Sequence, residues 1–139
     1  MTCAIALEPT NAFFYYARAT TYQNLQEYEL AIADYDHTIM LDPTDIPSYY
    51  DRSIAYSFLH QYEAALADVN RVLELDPNSA IAYGHRGLVY MHEGLGNEEQ
   101  IHSDFCQYTY LARANLDPLP EIVVLLELIH WECPANLTR

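Results

Sequence analysis

The sequence predicts an all-α protein built from tandem pairs of helices, and three observations carry this prediction. First, tyrosine, arginine and proline recur at intervals of 34 residues. Second, the apolar residues within each 34-residue unit follow the spacing of an amphipathic helix rather than the alternation of a strand. Third, a proline closes each unit, and a helix usually ends at or before the residue that precedes a proline. A fixed period of this length is typical of repeat proteins whose units stack on one another.

The period is clearest between residues 12–45 and 46–79, which are identical at 13 of 34 positions. One arginine recurs in each unit, with a tyrosine three positions before it and another four positions after it: Arg18, Arg52 and Arg86. The helical pattern is broken near Gln26 in the first unit and near His60 in the second. Each unit is therefore expected to form two antiparallel helices.

The elements follow in order from these breaks, with helices expected near 12–25, 28–41, 46–59, 62–75 and 80–93. The third unit closes at Pro118, which lies 41 rather than 34 residues after Pro77, so seven residues have been inserted. We assign two of them to the glycine-bearing turn at 94–97 and five to a longer helix at about 98–115. The expected organisation is one domain, 1–139, with these parts: the end of an incomplete repeat at 1–11, repeats at 12–45, 46–79 and 80–118, and a capping helix with tail at 119–139.

Composition argues against several kinds of partner and location. Six arginines, no lysine and 20 acidic residues give a formal charge of −14, which disfavours nucleic acid and anionic membrane surfaces as partners. No apolar run reaches the length of a membrane-spanning helix, and the first residues do not form a signal peptide. The sequence thus predicts a cytoplasmic protein with protein partners.

The residues that usually carry catalysis or bind metals do not form recognisable sites. The three cysteines are widely spaced and predict neither a disulfide framework nor a metal cage. His85 and His92 lie seven residues apart on one predicted helix, which is too far for them to share an ion. A nucleophile elbow and a glycine-rich phosphate loop are both missing. We therefore expect no enzyme activity, no metal and no cofactor.

The unit has an aromatic residue at position 4, a small residue at 8, Tyr at 11, Ala at 20 and Pro at 32. This pattern resembles the tetratricopeptide repeat (TPR) family over about residues 4–118, although Ile101 replaces the alanine in the third unit. The resemblance implies an α-solenoid, a right-handed superhelix whose concave face is lined by the first helix of each pair and which binds proteins without catalysis. Repeats of 35 residues that read RNA would need a basic face, which this chain lacks.

By the family's pattern, a set of first-helix positions lines the concave groove: Phe13, Tyr16, Thr20, Tyr50, Asp51, Ile54, Phe58, Ile81, His85, Leu88 and Met91. The set is mainly apolar and aromatic, so we expect it to bind an apolar or aromatic peptide segment that is neutral or basic at its ends. The branch of the family that grips the C-terminal carboxylate of heat-shock chaperones has Lys, Asn and Arg at five of the groove positions. This chain has other residues there: Tyr16, Thr20, Asp51, Ile81 and His85. The carboxylate clamp is absent, and Asp51 would repel a carboxylate.

Two further predictions concern packing. The repeated arginines are expected to pair with three aspartates across each helix pair: Asp34, Asp68 and Asp104. The terminal helix is apolar nearly all round, so a second surface must cover the residues on its outer face: Ile122, Leu125, Leu126, Leu128, Ile129 and Trp131. That surface is a second chain in a homodimer, the rest of a longer native protein, the chain's own groove or its own lengthened helix. Self-assembly is therefore the alternative function, and an adaptor role within a longer chain is a third hypothesis.

Overall fold

The computed structural model describes Glu8, residues 10–94, residues 98–115 and Cys133. Within these residues it contains six α-helices and no strand: α1 Ala12–Asn24, α2 Tyr28–Leu41, α3 Ile46–Phe58, α4 Tyr62–Leu75, α5 Ala80–Glu93 and α6 Glu98–Asn115. Each begins where the sequence predicts and ends within one residue of the predicted end, so the all-α prediction is confirmed. The capping helix at 119–132 and its self-association residues lie outside the described residues. Among the described helices, none is long and apolar enough to cross a membrane.

The chain divides into two compact units, Met1–Leu75 and Asp76–Arg139. The first unit contains α1 to α4, which form two helix pairs, α1 with α2 and α3 with α4. In this unit α2 also packs against α3, and α1 touches α3. The second unit contains the pair α5 and α6.

The turns inside the two pairs of the first unit have the same hydrogen-bond pattern. The amide of Glu27 donates to the carbonyl of Tyr22 at 2.9 Å, and the amide of Gln61 donates to that of Tyr56 at the same distance. In each turn, the residue before the donating amide adopts left-handed backbone angles: φ is 62° at Gln26 and 57° at His60. This is the Schellman arrangement that commonly closes an α-helix, here built without the usual glycine.

Each of the two units buries a cluster of small and aromatic residues between its paired helices. In the first unit, Ala19 of α1 packs with Ala31 and Tyr35 of α2, and all three are fully buried. In the second unit, a β-carbon added to Gly87 of α5 would lie only 2.6 Å from the buried ring of Phe105 on α6. Small residues at this position of the unit thus allow the two helices to approach closely, as the sequence predicts.

The predicted arginine–aspartate pairs form in all three helix pairs. Each guanidinium donates from Nε and Nη2 to both oxygens of its aspartate, at 2.6 to 2.8 Å: Arg18 with Asp34, Arg52 with Asp68 and Arg86 with Asp104. Arg52 also donates to Asp36, which links its pair to the helix before it. These contacts are bidentate, the strongest geometry for an ion pair between side chains.

The recurring tyrosines pack around these arginines rather than forming a separate site. The guanidinium of Arg18 lies 5.9 Å from the ring centres of both Tyr15 and Tyr22. Arg52 has the equivalent contacts with its own two tyrosines, at 5.6 and 5.8 Å. In the second unit, Arg86 lies 5.4 Å from the ring of Tyr83. The tyrosine period therefore has a structural cause, since cation–π contacts stabilise the same arginine that holds the helices together.

Candidate functional site

In the first unit, seven of the predicted groove residues lie on the first helices of the two pairs. We call this set the first-helix face: Phe13, Tyr16 and Thr20 of α1, with Tyr50, Asp51, Ile54 and Phe58 of α3. On each helix, most of these residues lie three, four or seven positions from another member of the set, so they share one side of that helix. Because α1 touches α3 in this unit, the two helices contribute to the same region of its surface.

A hydrogen bond joins the two helices at the centre of the first-helix face. The Tyr16 hydroxyl donates to the Asp51 carboxylate at 2.8 Å. Burial, the hydrogen bond to Asp51 and the charge of Asp51 together raise the pKa of Tyr16 to about 12. Burial also raises the pKa of Asp51. The hydrogen bond from Tyr16 lowers this pKa in part, and the nearby charge of Asp45 raises it further. A desolvated carboxylate next to a second acidic group makes this part of the surface attractive to a cation or a hydrogen-bond donor.

Two exposed phenylalanines lie along the same face. Phe13 is 67% exposed and Phe58 is 59% exposed. The Phe58 ring stacks on Tyr28, with ring centres 4.8 Å apart and planes within 5° of parallel. Phe13 contacts Phe14 edge to face at 5.9 Å. The exposed rings are thus positioned by neighbours while one surface remains open to solvent.

The remaining residues of the face are less exposed. Thr20 donates its hydroxyl to the carbonyl of Ala17 on its own helix, and its side chain is half-buried. Tyr50 and Ile54 are also half-buried. The Tyr16–Asp51 bond is thus a direct contact between two predicted site residues of this unit.

Four more predicted groove residues lie on α5 in the second unit. Ile81 is 41% exposed and Met91 is 37% exposed, whereas His85 and Leu88 are half-buried. Leu88 packs against the buried cluster formed by α5 and α6. Leu88 thus contributes to packing within its own unit, and the exposed apolar surface of α5 comes from Ile81 and Met91.

Sequence reasoning missed two features of the face. Tyr35 of α2 is fully buried beside Tyr16, with ring centres 6.0 Å apart, and donates its hydroxyl to Gln23 at 3.0 Å. Its position is occupied by valine in the second repeat, so the 34-residue period does not mark it. The second feature is the hydrogen bond between Tyr16, at position 5 of the first repeat, and Asp51, at position 6 of the second. The family's pattern predicts that both residues line the groove but does not indicate that they are bonded.

The spacing of the cysteines predicts no disulfide framework, but the structure contains a disulfide. Cys106 of α6 and Cys133 form a disulfide, with Cα atoms 5.3 Å apart and a separation of 27 positions in sequence. His102 lies one helical turn before Cys106, and its Nε2 is 3.4 Å from the Cys106 sulfur. The wide spacing hid this cluster because Cys133 reaches it from beyond the repeats, where no period indicates which residues meet.

Comparison with protein-family models gives two matches, each described as tetratricopeptide repeat. One covers residues 4–33 and the other residues 46–79. The second match coincides with the second repeat as the sequence defines it. A comparison with curated proteins finds no match.

Solved structures with similar folds include two TPR domains and the protein MamA. The first TPR of Spaghetti (RPAP3), bound to the HSP90 peptide SRMEEVD, matches with a TM-score of 0.72 at 22% identity, covering 86% of this chain and 94% of that one. The Arabidopsis OM64 TPR domain matches with a TM-score of 0.74 at 17% identity, covering 85% and 93%. A crystal structure of MamA matches with a TM-score of 0.79 at 20% identity, covering 93% and 74%. The two family matches thus identify tetratricopeptide repeats at residues 4–33 and 46–79, and the structural similarities show that the chain has the fold of an all-α TPR solenoid.

Proposed function

We propose that this chain is a non-catalytic protein-interaction scaffold whose first-helix face binds an apolar or aromatic segment of a partner protein. The observation that supports this most directly is Phe58, whose ring is 59% exposed yet held in place by stacking on Tyr28. An exposed aromatic ring that is already ordered loses little conformational entropy on binding, which is typical of the anchor residues of interfaces. Phe13 provides a second such ring on α1.

The charge of the face favours a basic or neutral segment over an acidic one. The Asp51 carboxylate is partly buried, close to the charge of Asp45, and the whole chain carries a formal charge of −14. The peptide bound to the first TPR of Spaghetti (RPAP3) contains two glutamates and an aspartate. A peptide of that kind would meet repulsion here, so we propose a different ligand class: an apolar or aromatic side chain next to Lys, Arg or an uncharged residue.

Two matched peptides would test both parts of the proposal. Each has the same central aromatic residue, flanked by lysines in one and by glutamates in the other, and carries a fluorophore for anisotropy titrations. We expect the lysine peptide to bind more tightly, and Phe58→Ala to weaken its binding by about tenfold or more, as for an aromatic anchor worth at least 1.4 kcal/mol. Asp51→Asn should narrow the difference between the two peptides.

The control is Met40→Ala on α2, which removes a comparably exposed apolar side chain outside the first-helix face. This variant should bind the lysine peptide as the wild type does. Equal loss in Met40→Ala and Phe58→Ala would indicate non-specific hydrophobic binding. Tighter binding of the glutamate peptide would contradict the proposed ligand class.

Self-assembly through the terminal helix stays a prediction, because the residues proposed for it lie outside the described part of the chain. A homodimer would show twice the chain mass in solution at high concentration, and replacing both Leu125 and Leu128 by Glu should return it to the monomer. A monomeric mass at every concentration would exclude this alternative. The groove proposal does not depend on the result.

A further inference from the structure

Three side chains capable of binding a metal converge in the second unit. They are His102 and Cys106, four residues apart on α6, and Cys133, which comes from beyond that helix. Their ligand atoms all lie within 4.8 Å of one another. None of the three belongs to the first-helix face, so the cluster is separate from the proposed peptide site.

The helix itself aligns the first two ligands. Residues four apart lie one above the other on the same side of an α-helix, and here the Nε2 of His102 is 3.4 Å from the Cys106 sulfur. In a tetrahedral zinc site, with bonds of about 2.3 Å to sulfur and about 2.0 Å to nitrogen, neighbouring ligand atoms are about 3.5 to 3.8 Å apart. The imidazole and the Cys106 sulfur are therefore already close to the spacing that one zinc ion requires.

We propose that His102, Cys106 and Cys133 bind one Zn²⁺ ion when the two cysteines are reduced. The ligands are the His102 Nε2 and the two thiolates, a soft and borderline set that suits zinc and does not suit Mg²⁺ or Ca²⁺. Binding releases the two thiol protons to solvent, so zinc affinity falls as the pH is lowered. Three protein ligands leave the fourth position of the tetrahedron to water or to a group from outside the chain.

The zinc ion and the disulfide are alternative states of the same two sulfurs. Oxidation by a small-molecule disulfide removes two electrons, forms the Cys106–Cys133 bond and yields two molecules of the small thiol. When the reaction starts from the zinc-bound protein, the two small-molecule thiols that it produces take their protons from solvent. Zn²⁺ leaves because the two cysteine sulfurs, now bonded to each other, are no longer thiolates. In a reducing compartment, such as the cytoplasm expected from the sequence, the cysteines stand as thiols and are able to bind the metal.

The environment of the three residues fits a site that exchanges metal. Cys106 is 1% exposed and His102 is half-buried, whereas Cys133 is exposed. Thr109 of α6 places its hydroxyl 3.8 Å from the Cys133 sulfur. Two ligands are thus held by the packed helix, and the third is accessible to oxidants and to competing chelators.

The test uses the full chain, reduced with a phosphine and kept free of oxygen, and Co²⁺ as a spectroscopic substitute for zinc. We expect one Co²⁺ per chain, with thiolate-to-cobalt charge-transfer bands in the near ultraviolet that disappear when Zn²⁺ is added. The same chain oxidised to the disulfide should show neither the bands nor Zn²⁺ retention. This comparison requires no mutation and so does not depend on whether a variant folds.

Variants then identify the ligands. Cys133→Ser, at an exposed position, should abolish the charge-transfer bands, while Cys3→Ser, which removes the third cysteine, should leave them unchanged. His102→Ala should weaken Co²⁺ binding by more than about tenfold, with His92→Ala as the control that removes a histidine from α5. Absence of the bands in the reduced wild type, or bands that survive Cys133→Ser, would overturn the proposal and leave the pair as a disulfide alone.

Discussion

Two helix pairs share an ion pair but differ in the apolar contact between their helices. They are the first pair of the chain, α1 with α2, and the pair of the second unit, α5 with α6. In both, an arginine of the first helix makes two hydrogen bonds to an aspartate of the second. Beneath it, the first pair has Ala19 packed with Tyr35, whereas the second pair has Gly87 against Phe105. The charged contact is kept while the apolar contact varies.

This difference shows which part of the unit fixes the geometry. A bidentate ion pair allows little change in the distance between two backbones, because both hydrogen bonds must keep their lengths and angles. An apolar contact tolerates exchange of volume as long as the sum is preserved, so a smaller residue on one helix accommodates a ring on the other. Of the four predictions below, which begin with the largest expected effect, the first two test this division.

Removing the arginine of the second unit should have the largest effect. Arg86→Leu leaves the Asp104 carboxylate without its ion pair, and the Asp104 side chain is only 2% exposed. We expect a loss of about 3 to 5 kcal/mol in the free energy of unfolding, measured by urea denaturation. The double variant Arg86→Leu with Asp104→Leu should recover most of this loss, since it removes the buried charge as well.

The control for this prediction is an ion pair on the surface. Arg71 contacts Glu74 within α4, with side chains 41% and 65% exposed. Arg71→Leu should change stability by less than about 1 kcal/mol. If Arg86→Leu and Arg71→Leu cost the same, the Arg–Asp pair does not hold the helices together and the comparison fails.

The second prediction exchanges the packing of the two pairs. Gly87→Ala adds a β-carbon that would lie 2.6 Å from the Phe105 ring, so we expect a loss of about 1 to 3 kcal/mol despite the better helix propensity of alanine. Phe105→Leu in the same chain should relieve part of that loss. Ala19→Gly in the first pair is the reciprocal change, and it should cost about 1 kcal/mol through helix propensity and a small void. A stabilising effect of Gly87→Ala would show that the helices of the second unit can move apart.

The same comparison explains how much was predictable from the sequence. The bounds of α1 to α5 and the first two Arg–Asp pairs follow from residues that recur every 34 positions, because each copy reports the same contact. The bounds of α6 and the third pair follow once the seven inserted residues are assigned to the turn and the longer helix. Tyr35 and Phe105 occupy one position of the unit but differ from its third occupant, Val69, so no period marks them. The Cys106–Cys133 pair involves a residue beyond the last repeat, and contacts of that kind are not encoded by spacing within the unit.

The third prediction concerns Asp51, a partly buried carboxylate that accepts a hydrogen bond from a tyrosine hydroxyl rather than from an arginine. Burial raises the pKa of Asp51 above its ordinary value, so the native state binds a proton more readily than the unfolded chain. Stability contributed by Asp51 therefore falls as pH rises from about 4 through the raised pKa, and at pH 7 the ionised group is destabilising. Asp51→Asn should raise the free energy of unfolding at pH 7, and this gain should vanish below about pH 4, where the unfolded chain also binds the proton.

A carboxylate with the opposite shift provides the control for Asp51. The side-chain and backbone hydrogen bonds of Thr44 lower the pKa of Asp42, an exposed residue at the end of α2. Its contribution is present above its unfolded-state pKa and is lost as the pH falls through the lowered value, so Asp42→Asn should destabilise at neutral pH. Urea denaturation of both variants across pH would reveal the opposite signs, and equal signs would contradict the assignment for Asp51.

The smallest effect is expected at the turns between paired helices. Gln26 adopts a φ of 62° where the second unit has Gly94 with a φ of 68°, and a side chain in this left-handed region is strained. Gln26→Gly should therefore raise the free energy of unfolding by up to about 1 kcal/mol, because relief of the strain exceeds the added flexibility of the unfolded chain. Gly94→Ala is the reverse change in open space, since an added β-carbon there meets nothing within 4 Å, and it should be destabilising by a similar amount. Thermal denaturation of the two variants measures the free-energy cost of a side chain in the left-handed conformation in each unit. If Gln26→Gly is destabilising, the Gln26 side chain stabilises its turn by more than the strain costs.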